Sequence, residues 1–192
     1  MNRVFVKKDD PLYKYTIQFM EESWGTKGKG IFPGCQPISI ERKHFGILSN
    51  NDYVVCEKTD GTRYMMIALQ TGNQRACVFI NRALEMFTVP LNFRMTVFKG
   101  TILEGELYEN TFMIYDCLMS CGEVVGNQNL LDRLQHSEKV VKKSLILNTD
   151  PITLKVKKFH LHDDFREFMD KYLPKIKQEM DGLIFTPVNE PI

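Results

Sequence analysis

Nothing in this sequence commits it to a membrane, to export or to nucleic acid by bulk charge. No apolar run approaches the roughly 20 residues that a bilayer-spanning helix needs, and the N-terminal MNRVFVKKDD has no apolar signal core. The expectation is a chain that is neither secreted nor membrane-spanning. An excess of one charge is also missing: 25 Lys and Arg stand against 24 Asp and Glu, leaving a formal net charge of +1. Proteins that bind nucleic acid through their overall field are usually more basic, so any such contact must come from a local patch or from a part of the protein outside this chain.

Cysteine is scarce and odd in number: Cys35, Cys56, Cys77, Cys117 and Cys121. Four of them sit in apolar or strand-like surroundings, which reads as reduced thiols of an intracellular protein and not as a disulfide framework. Cys117 and Cys121 are the one close pair, and no second Cys/His pair at finger-like spacing follows, which argues against a zinc site. His160 and His162, two apart, read as framing a turn. There is no internal repeat and no low-complexity tract.

What is present is an ordinary globular composition. With 192 residues, 43% apolar and 26% charged, the chain can bury a sizeable core in one domain, or one domain with a short appendage. Leu12, Tyr15, Phe19 and Met20 recur at helical spacing over residues 11–24, and a basic GTKGKG turn follows. Residues 31–37 (IFPGCQP) read as extended, because each proline biases its predecessor away from helix. From Tyr53 the pattern becomes strand-like. Tyr53 to Lys58 is a short β-rich run, Asp60-Gly61 supplies a turn, and Arg63 to Leu69 reads as the returning strand. Residues 78–81 with 85–89, and 101–108 with 111–118, read as two further hairpins, the latter turning at Glu109-Asn110. Residues 128–147 and 163–177 read as helices, the second ended or kinked by Pro174. Residues 153–159 read as a strand and 182–185 as a last buried strand. The fold class is therefore α+β, with mostly antiparallel sheets and flanking helices.

Four stretches can carry chemistry. In Glu57-Lys58-Thr59-Asp60-Gly61-Thr62-Arg63 a lysine ends an apolar strand before a tight turn. A lysine attacks only when neutral, and burial or nearby positive charge, such as Arg63 or Arg82, favours that form. Those arginines equally suit an anionic substrate. By spacing alone the stretch also fits a solvated surface hairpin. In Leu103-Glu104-Gly105-Glu106-Leu107 two carboxylates at i and i+2 share one strand face, which suggests a divalent ion or a sugar between them, or else an exposed strand face. Asp181 precedes the apolar Gly182-Leu183-Ile184-Phe185 and by itself reads as a turn. Lys155, Lys157 and Lys158 alternate with apolar residues as a solvated edge strand would. Phe112 is, by pattern alone, core. Together, Lys, Arg, Glu, Lys and Asp on successive short strands can line one cleft: a lysine-nucleophile site with a metal and a phosphate-bearing substrate.

The order Lys58-Thr59-Asp60-Gly61, Glu104-Gly105-Glu106-Leu107, Phe112-Met113-Ile114-Tyr115-Asp116 and Asp181-Gly182-Leu183-Ile184-Phe185 resembles motifs I, III, IIIa and IV of the covalent nucleotidyltransferases. That superfamily contains GTP-dependent mRNA capping enzymes and ATP- or NAD-dependent polynucleotide ligases. Phe32 to Ser39, Thr62-Arg63-Tyr64-Met65-Met66 and Glu179 to Phe185 resemble the capping guanylyltransferases in particular. The resemblance implies that Lys58 attacks the α-phosphorus of GTP, forming a lysyl-GMP phosphoamidate and releasing pyrophosphate, and that GMP then passes to the 5′-diphosphate end of RNA. It implies that Arg63 and Glu106 contact the ribose and that Arg82 holds the sugar-phosphate side. Phe112 would stack on the base, and Thr59 and Lys157 would read guanine edges, with Lys158 a rival to Lys157. It places Glu104 and Gly105 with the GTP-binding residues, and Asp181 with Glu106 at a Mg²⁺ or Mn²⁺ ion.

The resemblance covers residues 30–192, read as a nucleotidyltransferase domain after an N-terminal helix and basic turn at 1–29. The motif V Lys-x-Lys strand and the OB-fold domain with motif VI should follow Pro187 and are not in the sequence, nor is a triphosphatase signature at its start. The domain is thus expected to be incomplete at its C-terminal end, as a fragment or as a diverged stand-alone module. Ligase-type adenylation of Lys58 and a non-catalytic GTP- or RNA-binding module are the competing readings. Family partners are the RNA 5′ end, an RNA triphosphatase and a phosphorylated polymerase tail, without a membrane. The location expected is the nucleus, or cytoplasmic factories for a viral enzyme; Lys7-Lys8 and Lys142-Lys143 are too short for a localisation cluster.

Overall fold

The computed structural model describes residues 3–144 and 151–192. Its backbone is a large sheet, a small sheet and a few helices. Strands β1 (Val4–Val6), β2 (Tyr53–Thr59), β3 (Thr62–Thr71), β4 (Gln74–Ile80), β5 (Met86–Thr88), β6 (Thr101–Tyr108), β7 (Thr111–Ser120), β8 (Glu123–Val124), β9 (Thr153–Val156), β10 (His160–Leu161) and β11 (Met180–Pro187) are joined by α1 (Pro11–Trp24), α2 (Phe45–Asn50) and α3 (Leu130–Lys139). The large sheet runs β1-β5-β4-β3-β6-β7-β8, with β9 parallel to β7 and every other pair antiparallel. The small sheet is β10-β2-β11. This is the α+β class with mostly antiparallel sheets. Among the described residues no helix is long and apolar enough to cross a membrane.

The centre of the large sheet explains the run Tyr64-Met65-Met66-Ile67-Ala68-Leu69. Alternate residues of β3 point to opposite faces, and both faces are covered, so the strand is apolar throughout. Met65, Ile67 and Leu69 pack with Val78, Ile80 and Met20 of α1, whereas Met66 and Ala68 pack with Phe79, Phe87, Leu103 and Phe112. α1 begins at Asp10, whose carboxylate accepts from the Leu12 N–H at 2.8 Å. Residues 11–24 thus belong to the same core as the sheet.

The hairpins at 78–89 and 101–118 form, the latter through Glu109 in the left-handed region at φ 53. Four expectations need correction. First, β3 does not return beside β2. β2 pairs with β10 and β11, and β3 with β4 and β6, so Asp60-Gly61 is a crossover between sheets and not a hairpin turn. The Asp60 N–H finds the Glu179 carbonyl, outside any β2–β3 ladder. Second, the expected helix at 163–177 is a chain of short turns from His162 to Lys175, including a π-turn at Phe168–Tyr172. Pro174 has no N–H to continue a helix, and Phe165, Phe168 and Tyr172 are turned onto Phe185 and His160 at centroid distances of 6.1, 5.0 and 4.3 Å. Third, the helix at 128–147 runs as α3 over Leu130–Lys139, capped by Asn129, and continues as a π-turn over Val140–Ser144; residues 145–147 lie outside the described residues. Fourth, β11 is exposed to half-buried, because it is an edge strand of a three-stranded sheet. Residues 4–6 and 42–50, which carry no pattern of their own, form β1 and a short 3₁₀–helix pair.

Candidate active site

The cleft lies where the two sheets meet. Along β2 the pleat sends Val54, Cys56 and Lys58 to one face and Val55 and Glu57 to the other. Val54 packs with Leu130, Leu134 and Val188, and the Cys56 thiol is pushed up to about 12 by burial, with Lys157 and Glu106 among its charged neighbours. The Lys58 face is therefore the one turned towards the large sheet. Glu57 lies on the other face, buried, with Oε1 accepting from Gln178 Nε2 at 3.2 Å.

Lys58 sits opposite Gly182 on β11, and the register slips between Met180 and Gly182. Asp181 is the extra residue of that bulge, which releases it from the ladder and aims it at the lysine. Lys58 Nζ donates to both carboxylate oxygens, at 2.8 Å and 2.7 Å. That contact raises the lysine pKa above its ordinary value and lowers that of Asp181. The expectation that burial or neighbouring cations would depress the lysine is corrected here: Lys58 is held as an ammonium by its carboxylate partner.

A second bulge shapes the wall. β6 and β7 change register between Glu104 and Gly105, with Glu104 opposite Asp116 and Gly105 opposite Ile114. Tyr115 is the extra residue. Glu104 and Glu106 do not share a single cation. Arg63 Nη2 donates to Glu104 Oε2 at 3.0 Å, while Lys157 Nζ stands 3.9 Å from Glu106 Oε2, too far for a hydrogen bond. Burial pushes the Glu104 carboxyl up to about 7 against the pull of Arg63, and burial also raises Glu106. The Tyr115 phenol is held well above its usual range by burial and by Glu104, so it stays a neutral donor beside the pair.

The extended segment at 31–37 closes over this wall. The Phe32 ring lies 5.1 Å from the Arg63 guanidinium carbon, and Gly34, at φ 98, is so close that a Cβ there would lie 2.6 Å from Arg63 Nη2 and would overlap a Glu104 oxygen. Only glycine fits. On the far side, Asp116 is locked by Arg133 of α3 through bonds of 2.7 and 3.0 Å, which holds the middle of β7 against the helix.

Several buried polar atoms around the cleft form no hydrogen bond of ordinary geometry, although Tyr115 lies beside Arg63 and Glu104 and Lys157 stands near Glu106: Thr59 Oγ1, Arg63 Nε and Nη1, Glu104 Oε1 and Glu106 Oε2. Buried polar groups are normally hydrogen-bonded, so such a cluster marks a surface built to meet a polar ligand. Of the residues singled out in the sequence, Lys58, Arg63, Glu104, Glu106, Lys157 and Asp181 converge, with Thr59 and Gly105 in the same strands. Arg82 is exposed in the β4–β5 turn and forms no ion pair with the cluster among the described residues.

Phe112 also falls outside. It is fully buried, opposite Leu107, with its ring 5.1 Å from that of Phe79 in the core behind the sheet. A Cβ on Gly105 would lie 2.7 Å from two of its ring atoms, so the glycine between the glutamates serves to seat this ring. The neighbour Met113, opposite Glu106, is on the cleft face and half-buried. Strict alternation along Thr111 to Ile114 was the signal for it.

Residues 5–192 match the family model described as mRNA capping enzyme, catalytic domain. The chain belongs to that family. It is 28% identical over 187 residues to the mRNA-capping enzyme of Mus musculus, a match that covers 86% of this chain and 31% of that protein. To the mRNA-capping enzyme subunit alpha of Schizosaccharomyces pombe it is 28% identical over 190 residues, covering 83% and 47% respectively. To the subunit of the same name from Saccharomyces cerevisiae it is 31% identical over 199 residues, covering 83% and 42%. The chain thus spans less than half the length of these relatives. Within the capping-enzyme family it is a catalytic-domain segment. Among the described residues no group of three or more His, Cys, Asp or Glu gathers in a way that would hold a metal on its own.

Proposed function

We propose that this chain is the guanylyltransferase part of a capping enzyme, which takes GMP from GTP onto Lys58 and passes it to the 5′-diphosphate end of RNA. The observation that carries the reading is Lys58 bonded to Asp181 at the mouth of a cleft walled by Arg63, Glu104, Glu106 and Lys157, in a chain matched over residues 5–192 to the capping catalytic domain.

The chemistry follows from charge. Lys58 Nζ forms a P–N bond to the α-phosphorus, the bond to the bridging oxygen of the β-phosphate breaks, and pyrophosphate leaves. The ammonium, which is solvent-exposed, must first give a proton to water, and the hydrogen bond to Asp181 is the largest cause of its retention. Asp181 must therefore turn to another partner before attack. A divalent ion, Mg²⁺ or Mn²⁺, suits two carboxylates plus substrate phosphates better than a closed protein cage; Asp181, once released by Lys58, and the Glu106 oxygen that accepts no hydrogen bond would hold it. Such an ion would offset the charge of the phosphates and of the leaving pyrophosphate. In the second step a terminal oxygen of the RNA diphosphate attacks the same phosphorus, the P–N bond breaks, and Lys58 recovers a proton.

Arg63 and Glu106 are the ribose contacts in this reading, and Thr59 and Lys157 face the guanine edge. Lys157 is buried beside Glu106, which favours it over Lys158, whose ammonium lies instead over the Tyr172 ring. Met113, on the cleft face, takes the platform role that Phe112 is not placed to fill. The test is covalent labelling: the chain is incubated with α-³²P GTP or ATP and Mg²⁺ or Mn²⁺, denatured and examined for bound label. Label from GTP alone, lost in Lys58→Ala, is expected. Label from ATP, or label that survives the substitution, would refute the assignment.

A further inference from the structure

Beside the cleft, on the Glu57 side of β2, a cavity of about 330 Å³ is lined by Lys155, Tyr172, Lys175, Ile176, Lys177 and Gln178. No acidic residue lines it. Lys158 adds a fourth ammonium, 5.5 Å from the Tyr172 ring centroid. Among the described residues none of these four lysines forms a salt bridge, although Lys43, Lys142 and Lys171 elsewhere on the surface each pair with a glutamate. In a chain of net charge +1, four unpaired lysines around one hollow form a pronounced local excess. The wall is rigid as well as basic. Tyr172 stacks on Phe168 at 5.6 Å and meets His160 at 4.3 Å, and Gln178 is tied to the buried Glu57.

The cavity adjoins the cleft at Lys155 of β9 and at the segment that leads into β11. Lys155 lies two residues before Lys157 and opposite Met113, so it shares the cleft face of β9. Gln178 lies three residues before Asp181 and bonds Glu57, on the opposite face of β2 from Lys58, so the hollow meets the cleft round the Lys155 edge. A polyanion whose terminal phosphate reaches Lys58 can therefore continue over this hollow.

We infer that this cavity holds the phosphate backbone of the acceptor RNA, in the nucleotides behind its 5′ diphosphate. The inference rests on the guanylyltransferase reading for the identity of the acceptor, but not for the binding itself. Lysines grip such a backbone as point charges without reading sequence, which suits an acceptor that varies from one transcript to another.

The test is fluorescence anisotropy with a 5′-diphosphate RNA 12-mer over a range of salt, comparing the wild-type chain with Lys155→Ala/Lys175→Ala/Lys177→Ala and with the matching Lys→Arg triple variant. The alanine variant should bind more than about tenfold more weakly at low salt, and its log–log salt slope should be shallower by about 2, whereas the arginine variant keeps both. GTP labelling of Lys58 should be unchanged in either variant. Equal RNA binding by wild type and alanine variant would overturn the proposal. So would loss of labelling in parallel with RNA binding, since the lysines would then serve the nucleotide's phosphates. Lysine-dependent binding of a phosphoserine peptide in place of RNA would overturn it in favour of a protein partner. Lysine-dependent RNA binding by a chain that takes no label supports the cavity and sinks the reading of Lys58 instead.

Discussion

The Lys58 ammonium and the Asp181 carboxylate grip each other through two hydrogen bonds of 2.8 and 2.7 Å, across a bulge that lifts Asp181 out of the β2–β11 ladder. The pair sets up opposing demands. If Asp181 served only to keep the lysine protonated, its loss would free the nucleophile and speed labelling at neutral pH. If it holds the ion that faces the phosphates, its loss slows the reaction. The second outcome is expected: Asp181→Asn should lower the rate of lysyl-GMP formation at least about tenfold, equivalent to roughly 1.4 kcal/mol of barrier. Single-turnover labelling with GTP measures it, and a faster rate would remove Asp181 from the catalytic set.

Phe112 and Met113 are neighbours on opposite faces of β7. Phe112→Ala empties a fully buried site between Phe79 and Gly105 and should destabilise the fold by about 3–5 kcal/mol. Met113→Ala should change stability far less but weaken GTP binding by about tenfold, through loss of a platform for the base. Urea unfolding and calorimetric titration with GTP separate the two. If Phe112→Ala proved mild in urea while GTP binding vanished, the ring would belong to the nucleotide after all.

Glu104 makes stability depend on pH in an unusual direction. Its carboxyl is pushed up to about 7 from an ordinary 4.5 by burial, despite Arg63. Between those values the unfolded chain ionises the group while the folded protein keeps it protonated, so folding is progressively disfavoured as pH rises. Relative to Glu104→Gln, the wild-type protein should be most stable below about 4.5 and should lose up to roughly 3 kcal/mol by about pH 7, then level off. Denaturation of both proteins at a series of pH values measures this, and a difference that grows with pH would show that Arg63 dominates instead.

Much of the fold was legible because it is written in short-range terms. The period-2 runs at 101–108 and 111–118 with a turn-forming Glu109-Asn110, and the helical spacing of Leu12, Tyr15, Phe19 and Met20, each need only neighbours in the chain. The partners of β2 were not legible. Tyr53 to Thr59 followed by Asp60-Gly61 looks like half of a hairpin whether the next strand returns or crosses to another sheet, and the ladder that decides it is formed with residues 180–187, far along the chain. The break-up of 162–175 into short turns was likewise set by the aromatic contacts with His160 and Phe185.

The site divides along the same line. Residue type and order alone marked Lys58, Arg63, Glu104, Glu106, Lys157 and Asp181 as groups able to line one cleft, because nucleophile, cation and carboxylate are properties of side chains, and the family resemblance supplied the roles expected of them. Only the tertiary structure decided how they are used. Two bulges, one at Asp181 and one at Tyr115, change which face a residue presents without altering its chemistry: the first gives Asp181 to Lys58, and the second sets Tyr115 beside Glu104. The pleat sent Phe112 into the core and left Met113 on the cleft. The four lysines around Tyr172 come from separate segments, Lys155 and Lys158 from one and Lys175 and Lys177 from another, and they form a single basic hollow only because packing beside β2 brings those segments together.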